Sequence, residues 1–404
     1  MAEIMCHNKS HSKPTTIEDL NDELLIEILH RFPLPFLLQC KSVNKRFLSV
    51  ISDPHFFNPR LIQPRAFENH TLFPLLFHFY SGFNYHKKIL FCLDSKNQTH
   101  ILMDSYFLPP FWHQDRDRFR VKATHRDLVL CSTHNNFYIH YFVCNPFTKR
   151  HVVLPQTPKS HAQEFARVGF INDQCRSRFR VVHIPVVCFE NVSSFQVHVF
   201  SSETGEWRVS NVDVPRAVLM SDSYPTNVIV YKGALLWWMK EHGFLVCDDP
   251  FDGWDSKWRI VRNSCAVFYG SRRWDICNGV CNGRVKTFAF KATRLESIVY
   301  RLDDDFHKTT WSCSEYRFNL EDAVRDHELV KGVGVNNMKL LAFHPQCEYI
   351  IYFYSSRSIF LYKCNNRKLE TLYTVEDEGE DLHVLGNALP LVLPEWPTPI
   401  PTLK

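Results

Sequence analysis

The chain has 404 residues, 47 Lys and Arg against 43 Asp and Glu, and a formal net charge of +4. With 22% charged and 45% hydrophobic residues it has the material for a core, which excludes a chain disordered throughout, a collagen and a coiled coil. Its 13 glycines are about 3% of the chain against a usual ~7%, which argues against a Gly-rich phosphate-binding enzyme.

Residues 1–14 are polar and expected to be disordered, and without an apolar run they do not read as a signal peptide. The apolar stretch 72–80 is too short to span a bilayer and contains Pro74. The sequons at Asn8, Asn69, Asn97 and Asn191 carry no weight without a secretion signal. A cytoplasmic or nuclear location, or both, is expected, with no membrane partner.

Residues 17–53 read as three short helices. Leu24, Leu25, Ile28, Leu29 and Phe32 form one helical stripe, Asn21 can cap it, Asp22 and Glu23 suit its first turn, and Pro33 stops it. A second helix can start at Pro35 and carry Phe36, Leu37, Leu38 and Cys40. A third runs from about Asn44 to Ile51, with Phe47, Leu48 and Ile51 on one side. So small a unit cannot cover its own apolar faces, so the excess Leu, Ile and Phe is either a protein-binding surface or a cap on a neighbouring domain.

The rest of the chain, after a linker at 61–85, has short period-2 runs broken by Asn, Asp and Ser turns. One pattern recurs, a strand, a polar turn and a strand, starting at Ile89, Tyr141, Val197, Phe244, Ile298 and Ile359, roughly every 54 residues. Another strand signal precedes most of these hairpins, as in 127–132, 227–239, 283–290 and 339–354. Four strands per repeat predict a β-propeller of kelch-like period over 86–375, the alternative being a two-sheet sandwich. The fold class expected is thus α+β multidomain, a three-helix module over 15–60 followed by a propeller-like domain of about six blades. Residues 376–404 carry six acids against one base and several prolines, and read as a tail.

Catalytic signals are weak. Cys277 and Cys281 lack the two further ligands a metal site needs, and the fourteen cysteines read as buried thiols of a reducing compartment. Asp303, Asp304 and Asp305 fall at a turn position of the repeat, and His134, His140 and His151 have no partner spacing. The turn 201–207, SSETGEW, approaches the Asp-box hairpin of sialidase-type propellers, a structural turn. Trp237, Trp238, Trp254, Trp258 and Trp274 fit either the wedge between blades or a ligand-stacking surface. No run of five bases exists, which argues against nucleic-acid binding. No cofactor, metal or catalytic residue is expected.

The helical segment resembles an F-box in the order and spacing of Leu20, Asp22-Glu23, Leu24-Leu25, Ile28-Leu29, Phe32-Pro33, Leu37-Leu38, Cys40, Val43, Lys45-Arg46 and Ile51-Ser52-Asp53-Pro54. It departs at Asn21, where the pattern has Pro, and at Phe47, where it has Trp. The β region resembles the F-box-associated domains of large plant F-box families in Cys144–Pro155, Val168–Phe170 and Ser201–Arg208. The resemblance implies the substrate receptor of an SCF-type ubiquitin ligase, binding a Skp-family adaptor and through it a cullin scaffold. It implies adaptor contacts from Leu20, Asp22, Glu23, Leu24, Leu25, Ile28, Leu29, Phe32, Leu37, Leu38, Val43 and Phe47, and a β domain that holds a target protein, with no target-binding residue specified. The alternatives are a lectin-like binding module and a glycosidase-type propeller enzyme, without a ligase role.

Overall fold

The computed structural model divides the chain into two compact units, Met1–His70 and Thr71–Lys404. The described residues are 17–29 and 40–52 in the first. In the second they are 75–81, 88–92, 100–102, 120–134, 139–146, 150–158, 166–173, 176–185, 191–219, 228–239, 243–251, 257–261, 274–301, 314–327, 338–355, 358–374, 382–384, 388–391, 398–401 and 403.

In the first unit a 3-10 turn at Ile17–Asp19 leads into α1 (Asp22–Leu29), and α2 spans Lys45–Ser52. Each helix starts on an asparagine. The Leu24 N–H donates to Asn21 Oδ1 at 2.9 Å and the Phe47 N–H to Asn44 Oδ1 at 2.8 Å, so each cap satisfies an otherwise orphaned donor. Leu25 and Leu29, one turn apart on α1, are buried together with Cys40, Phe47, Val50 and Ile51. The helix expected from Pro35 lies almost wholly outside the described residues.

The second unit is built of antiparallel strands in six sheets. Five are four-stranded blades whose strands follow one another in chain order. The first holds β4 (Arg120–His125), β5 (Leu128–His134), β6 (Ile139–Asn145) and β7 (Arg150–Val153). The second holds β8 (Arg167–Asp173), β9 (Arg178–Ile184), β10 (Asn191–Ser201) and β11 (Glu206–Leu219). The third holds β12 (Ile229–Tyr231), β13 (Ala234–Trp238), β14 (Phe244–Asp248) and β15 (Lys257–Val261). The fourth holds β16 (Asp275–Cys281), β17 (Arg284–Lys291), β18 (Glu296–Arg301) and β19 (Ser314–Asn319), followed by the short helix α3 (Glu321–Arg325). The fifth holds β20 (Lys339–Phe343), β21 (Ile350–Ser355), β22 (Ser358–Lys363) and β23 (Lys368–Thr374).

The remaining sheet joins the two ends of this unit. Its β1 (Leu75–Ser81), β2 (Lys88–Cys92) and β3 (His100–Leu102) come from the start, and β24 (Leu382–Val384) and β25 (Leu389–Pro390) both pair with β1 from the far end. This corrects the expected fold class. The protein is mainly β rather than α+β, and its propeller has five four-stranded blades rather than about six. The recurring hairpins from Tyr141, Val197, Phe244, Ile298 and Ile359 are the third and fourth strands of the five blades. The hairpin from Ile89 matches them in texture but is β2–β3 of the joining sheet, so the repeat counted hairpins and not complete blades. β1 lies inside the segment expected as a linker, and β24 and β25 inside the segment expected as a tail.

The core is distributed between blades. Phe170, Phe179 and Phe200 of the second blade pack with Leu130, Tyr141 and Val143 of the first. Trp237 and Leu245 of the third pack with Ile171 and Val182 of the second, and Phe288 and Phe290 of the fourth with Phe343, Phe353 and Phe360 of the fifth. Trp237 and Trp238 are almost fully sealed; Trp237 stacks on Trp258 with ring centroids 5.6 Å apart, and Trp238 meets Phe244 edge-on. Both therefore fill wedges instead of offering a stacking surface. At Gly169 a Cβ would lie 2.5 Å from the Trp237 ring, so the glycine is what lets the second and third blades approach.

Candidate interaction surfaces

Folding splits the apolar stripe of the helical unit in two. Leu25, Leu29 and Phe47 are buried, whereas Leu24 is 49% exposed, Leu48 47% and Val43 65%. Ile17 is also exposed, and Leu20 and Ile28 are half-buried. Leu24, Leu48 and Val43 are thus the large apolar side chains that this unit presents to solvent. Phe32, Leu37 and Leu38 lie outside the described residues.

The acids of α1 have different settings. Asp22 accepts two hydrogen bonds from Arg46, from Nε at 2.9 Å and from a terminal nitrogen at 2.8 Å, and the same guanidinium reaches the Leu20 carbonyl. One planar fork thus ties α2 to both the first turn of α1 and the residue before its cap. Glu23 is exposed. Sequence patterning found the charge at Asp22 but not its partner, which lies 24 positions away.

In the β unit a buried polar network fastens the end of the chain. Asp127, fully buried, accepts from Asn145 Nδ2 and from the Thr398 N–H, each at 2.7 Å, and from the Thr398 hydroxyl. Asn145 Nδ2 also donates to the Thr398 carbonyl at 2.9 Å, and Ile400 and Leu403 pack on the core shared by the first two blades. The segment expected as an acidic, Pro-rich tail is in these residues packed on the β unit.

The turn SSETGEW connects β10 and β11. Arg180 donates to Glu203 at 2.6 Å and to Ser201 Oγ at 2.6 Å, while Arg178 reaches Glu203 at 3.3 Å and lies over the Phe251 ring. These two guanidiniums hold the Glu203 carboxyl below the usual range against a burial effect of opposite sign. Ser201, Ser202 and Glu203 are thus all used to hold the turn, which fits a structural hairpin.

Burial favours the neutral form of His183 and His125. His183 and His198 face each other across β9 and β10 with their Nδ1 atoms 3.3 Å apart, and burial, then the His198 and Lys122 charges, lower the His183 pKa to about 3. His125 accepts from the Asn172 N–H at 3.0 Å, and burial lowers its pKa to about 4. Burial pushes the Cys277 thiol up to about 12, the opposite of what a metal ligand needs. Among the described residues no group of three His, Cys, Asp or Glu side chains could hold a metal ion. No helix among them is long and apolar enough to cross a membrane.

Comparison with known proteins agrees with this architecture. Residues 17–59 match the F-box domain model, and residues 96–388 match the model described as F-box protein At3g26010-like, beta-propeller. The F-box protein At5g07610 of Arabidopsis thaliana is 30% identical over 250 residues, covering 57% of this chain and 53% of that protein. The chain therefore spans about half the length of that relative. The F-box protein At1g30790 of the same plant is 23% identical over 387 residues, covering 88% of this chain and 90% of its own length. With an F-box ahead of a matching propeller that takes up most of its length, the chain belongs to the At3g26010-like family of F-box β-propeller proteins.

Proposed function

We propose that this chain is the substrate receptor of an SCF-type ubiquitin ligase, the helical unit binding a Skp-family adaptor and through it a cullin, and the propeller binding a target protein. The observation that carries the reading is an F-box and a β-propeller in one chain, with Leu24, Val43 and Leu48 exposed on the F-box. The chain works by proximity. Tethering raises the effective concentration of a target lysine near a conjugating enzyme carried elsewhere on the complex, and this chain contributes no bond-making group. The reading carries with it a cytoplasmic or nuclear location, where buried thiols stay reduced.

The test is co-purification with a Skp-family adaptor. Wild type is expected to retain the adaptor. Leu24→Asp and Val43→Asp, which alter exposed side chains, are expected to lose it by more than about tenfold, because a charge in an apolar interface must be desolvated without a partner. A folded wild-type chain that fails to bind the adaptor would end this reading.

A further inference from the structure

Beyond β25 the described residues 398–401 and 403 lie in no strand or helix, and the five blades have their four strands without them. They form a strap. At its polar end Thr398 donates its N–H and its hydroxyl to the Asp127 carboxyl and accepts from Asn145 at its carbonyl. At its apolar end Ile400 and Leu403, both half-buried, pack on the core that the first two blades share. A segment held in this way can lift while every blade stays closed.

Two features meet at Thr398. The first is its sequence setting, Pro397-Thr398-Pro399-Ile400-Pro401. Proline directly after a hydroxyl residue is the pattern that proline-directed protein kinases take, and prolines hold a peptide in the extended form those enzymes accept. The second is what the hydroxyl touches. Thr398 is 4% exposed, and its hydroxyl donates to a fully buried carboxyl group. A phosphate on that oxygen would remove the donated proton and set a charge of about −2 against Asp127. The docked strap and a phosphorylated Thr398 therefore exclude each other. The other Thr-Pro pair of the sequence, Thr157-Pro158, lies in the connection between the first two blades.

We propose that Thr398 is a phosphorylation site for a proline-directed kinase, and that its phosphate holds the strap off the β unit. With the strap lifted, the γ-phosphoryl group of ATP passes to Thr398 Oγ. The bond from phosphorus to the bridging oxygen breaks, a bond to Oγ forms, ADP leaves, and the hydroxyl proton goes to the kinase's base. Redocking would press the phosphate on Asp127, so Ile400 and Leu403 stay away from the core and the surface they cover faces solvent. The kinase meets only the lifted strap, so tighter docking slows it.

The experiment treats the full chain, and a free peptide of residues 392–404 beside it, with MgATP and a purified proline-directed kinase. Peptide mapping by mass spectrometry is expected to place phosphate on Thr398 in both, more slowly in the chain. Leu403→Ala loosens the strap outside the kinase pattern, and is expected to speed phosphorylation of the chain severalfold without speeding that of the peptide. Pro399→Ala is expected to abolish it in both. Hydrogen exchange of the Thr398 N–H is expected to quicken about tenfold or more on phosphorylation, while β5 and β6 keep their protection. Thr398→Val, which loses the hydroxyl bond but adds no charge, is expected to quicken that exchange by less. Phosphate on the peptide but not on the chain, a peptide that the kinase ignores, or phosphate on Thr157 in place of Thr398 overturns the inference. So does an equal rate in the wild-type and Leu403→Ala chains, or a phosphorylated chain whose Thr398 amide stays protected.

Discussion

The two units treat large apolar side chains in opposite ways. In the helical unit Leu24, Val43 and Leu48 stand out in solvent, although Leu25, Leu29 and Phe47 a residue or a turn away are buried. In the β unit Trp237, Trp238, Tyr141, Phe170 and Phe200 are all but inaccessible, closed between blades. The two described helices are short and have too little interior to take up every apolar residue they carry. Stacked blades bury both faces of each sheet. Neighbouring blades thus take up the large apolar side chains that the helical unit leaves outside.

The sharpest way to break this comparison is one apolar truncation in each unit. Trp237→Ala is expected to destabilise the β unit by about 3–5 kcal/mol, through lost contacts and the cavity left between the second and third blades. Leu24→Ala is expected to change stability by less than about 0.5 kcal/mol, while weakening adaptor binding. Urea unfolding of both variants checks the pair. A large loss in Leu24→Ala would mean that its side chain belongs to a core and not to an interface.

Next in size is the fastening of the chain end. Asp127→Ala leaves Asn145 Nδ2 and two Thr398 donors facing a vacated, buried site, at a cost of about 3 kcal/mol. The loss should appear as a lowered urea midpoint and as faster hydrogen exchange at β25, which pairs with β1 close to that end. An unchanged midpoint would show that the ends of the β unit are held by strand pairing alone.

How much of this was legible in the sequence depends on how local each signal is. The third and fourth strands of each blade sit in one hairpin, so period-2 runs around a polar turn revealed them at Tyr141, Val197, Phe244, Ile298 and Ile359. The blade count was not legible, because β1 pairs with β24 and β25 across some three hundred residues and no local pattern marks that closure. The helical stripe was legible as a stripe. Its division into buried Leu25 and Leu29 and exposed Leu24 is set by how the two helices meet.

Acid sharpens the comparison further, because the strongly depressed histidines lie in the β unit. The folded-state pKa of His183 is about 3 and that of His125 about 4, both below the value of 6.5 expected unfolded. Between those limits the unfolded chain binds the protons, so stability falls as pH drops below about 6.5, by up to about 1.4 kcal/mol per pH unit for each group. The groups facing His183 are His198 and Lys122, and Arg126 adds to the effect at His125. Denaturant midpoints of the β unit are expected to decline steadily from pH 6.5 to 4, and His183→Asn to flatten part of that slope. A flat profile in the wild type would show these rings to be solvated.

A smaller effect belongs to the helical unit, whose two described helices each begin on an asparagine cap. Asn21→Ala removes the acceptor for the Leu24 N–H and is expected to cost about 1 kcal/mol, with Asn44→Ala similar at the Phe47 N–H. Because the chain forms two compact units, the loss should stay in the first. Hydrogen exchange is expected to quicken at amides of α1 and α2 while the blades keep their protection. Leu24 and Val43 project from this scaffold, so loosening it is also expected to weaken adaptor binding modestly, with no contact residue altered. Equal quickening in the blades would mean that the two units unfold as one, and the contrast between an open helical surface and a sealed β core would no longer divide the molecule where the chain divides.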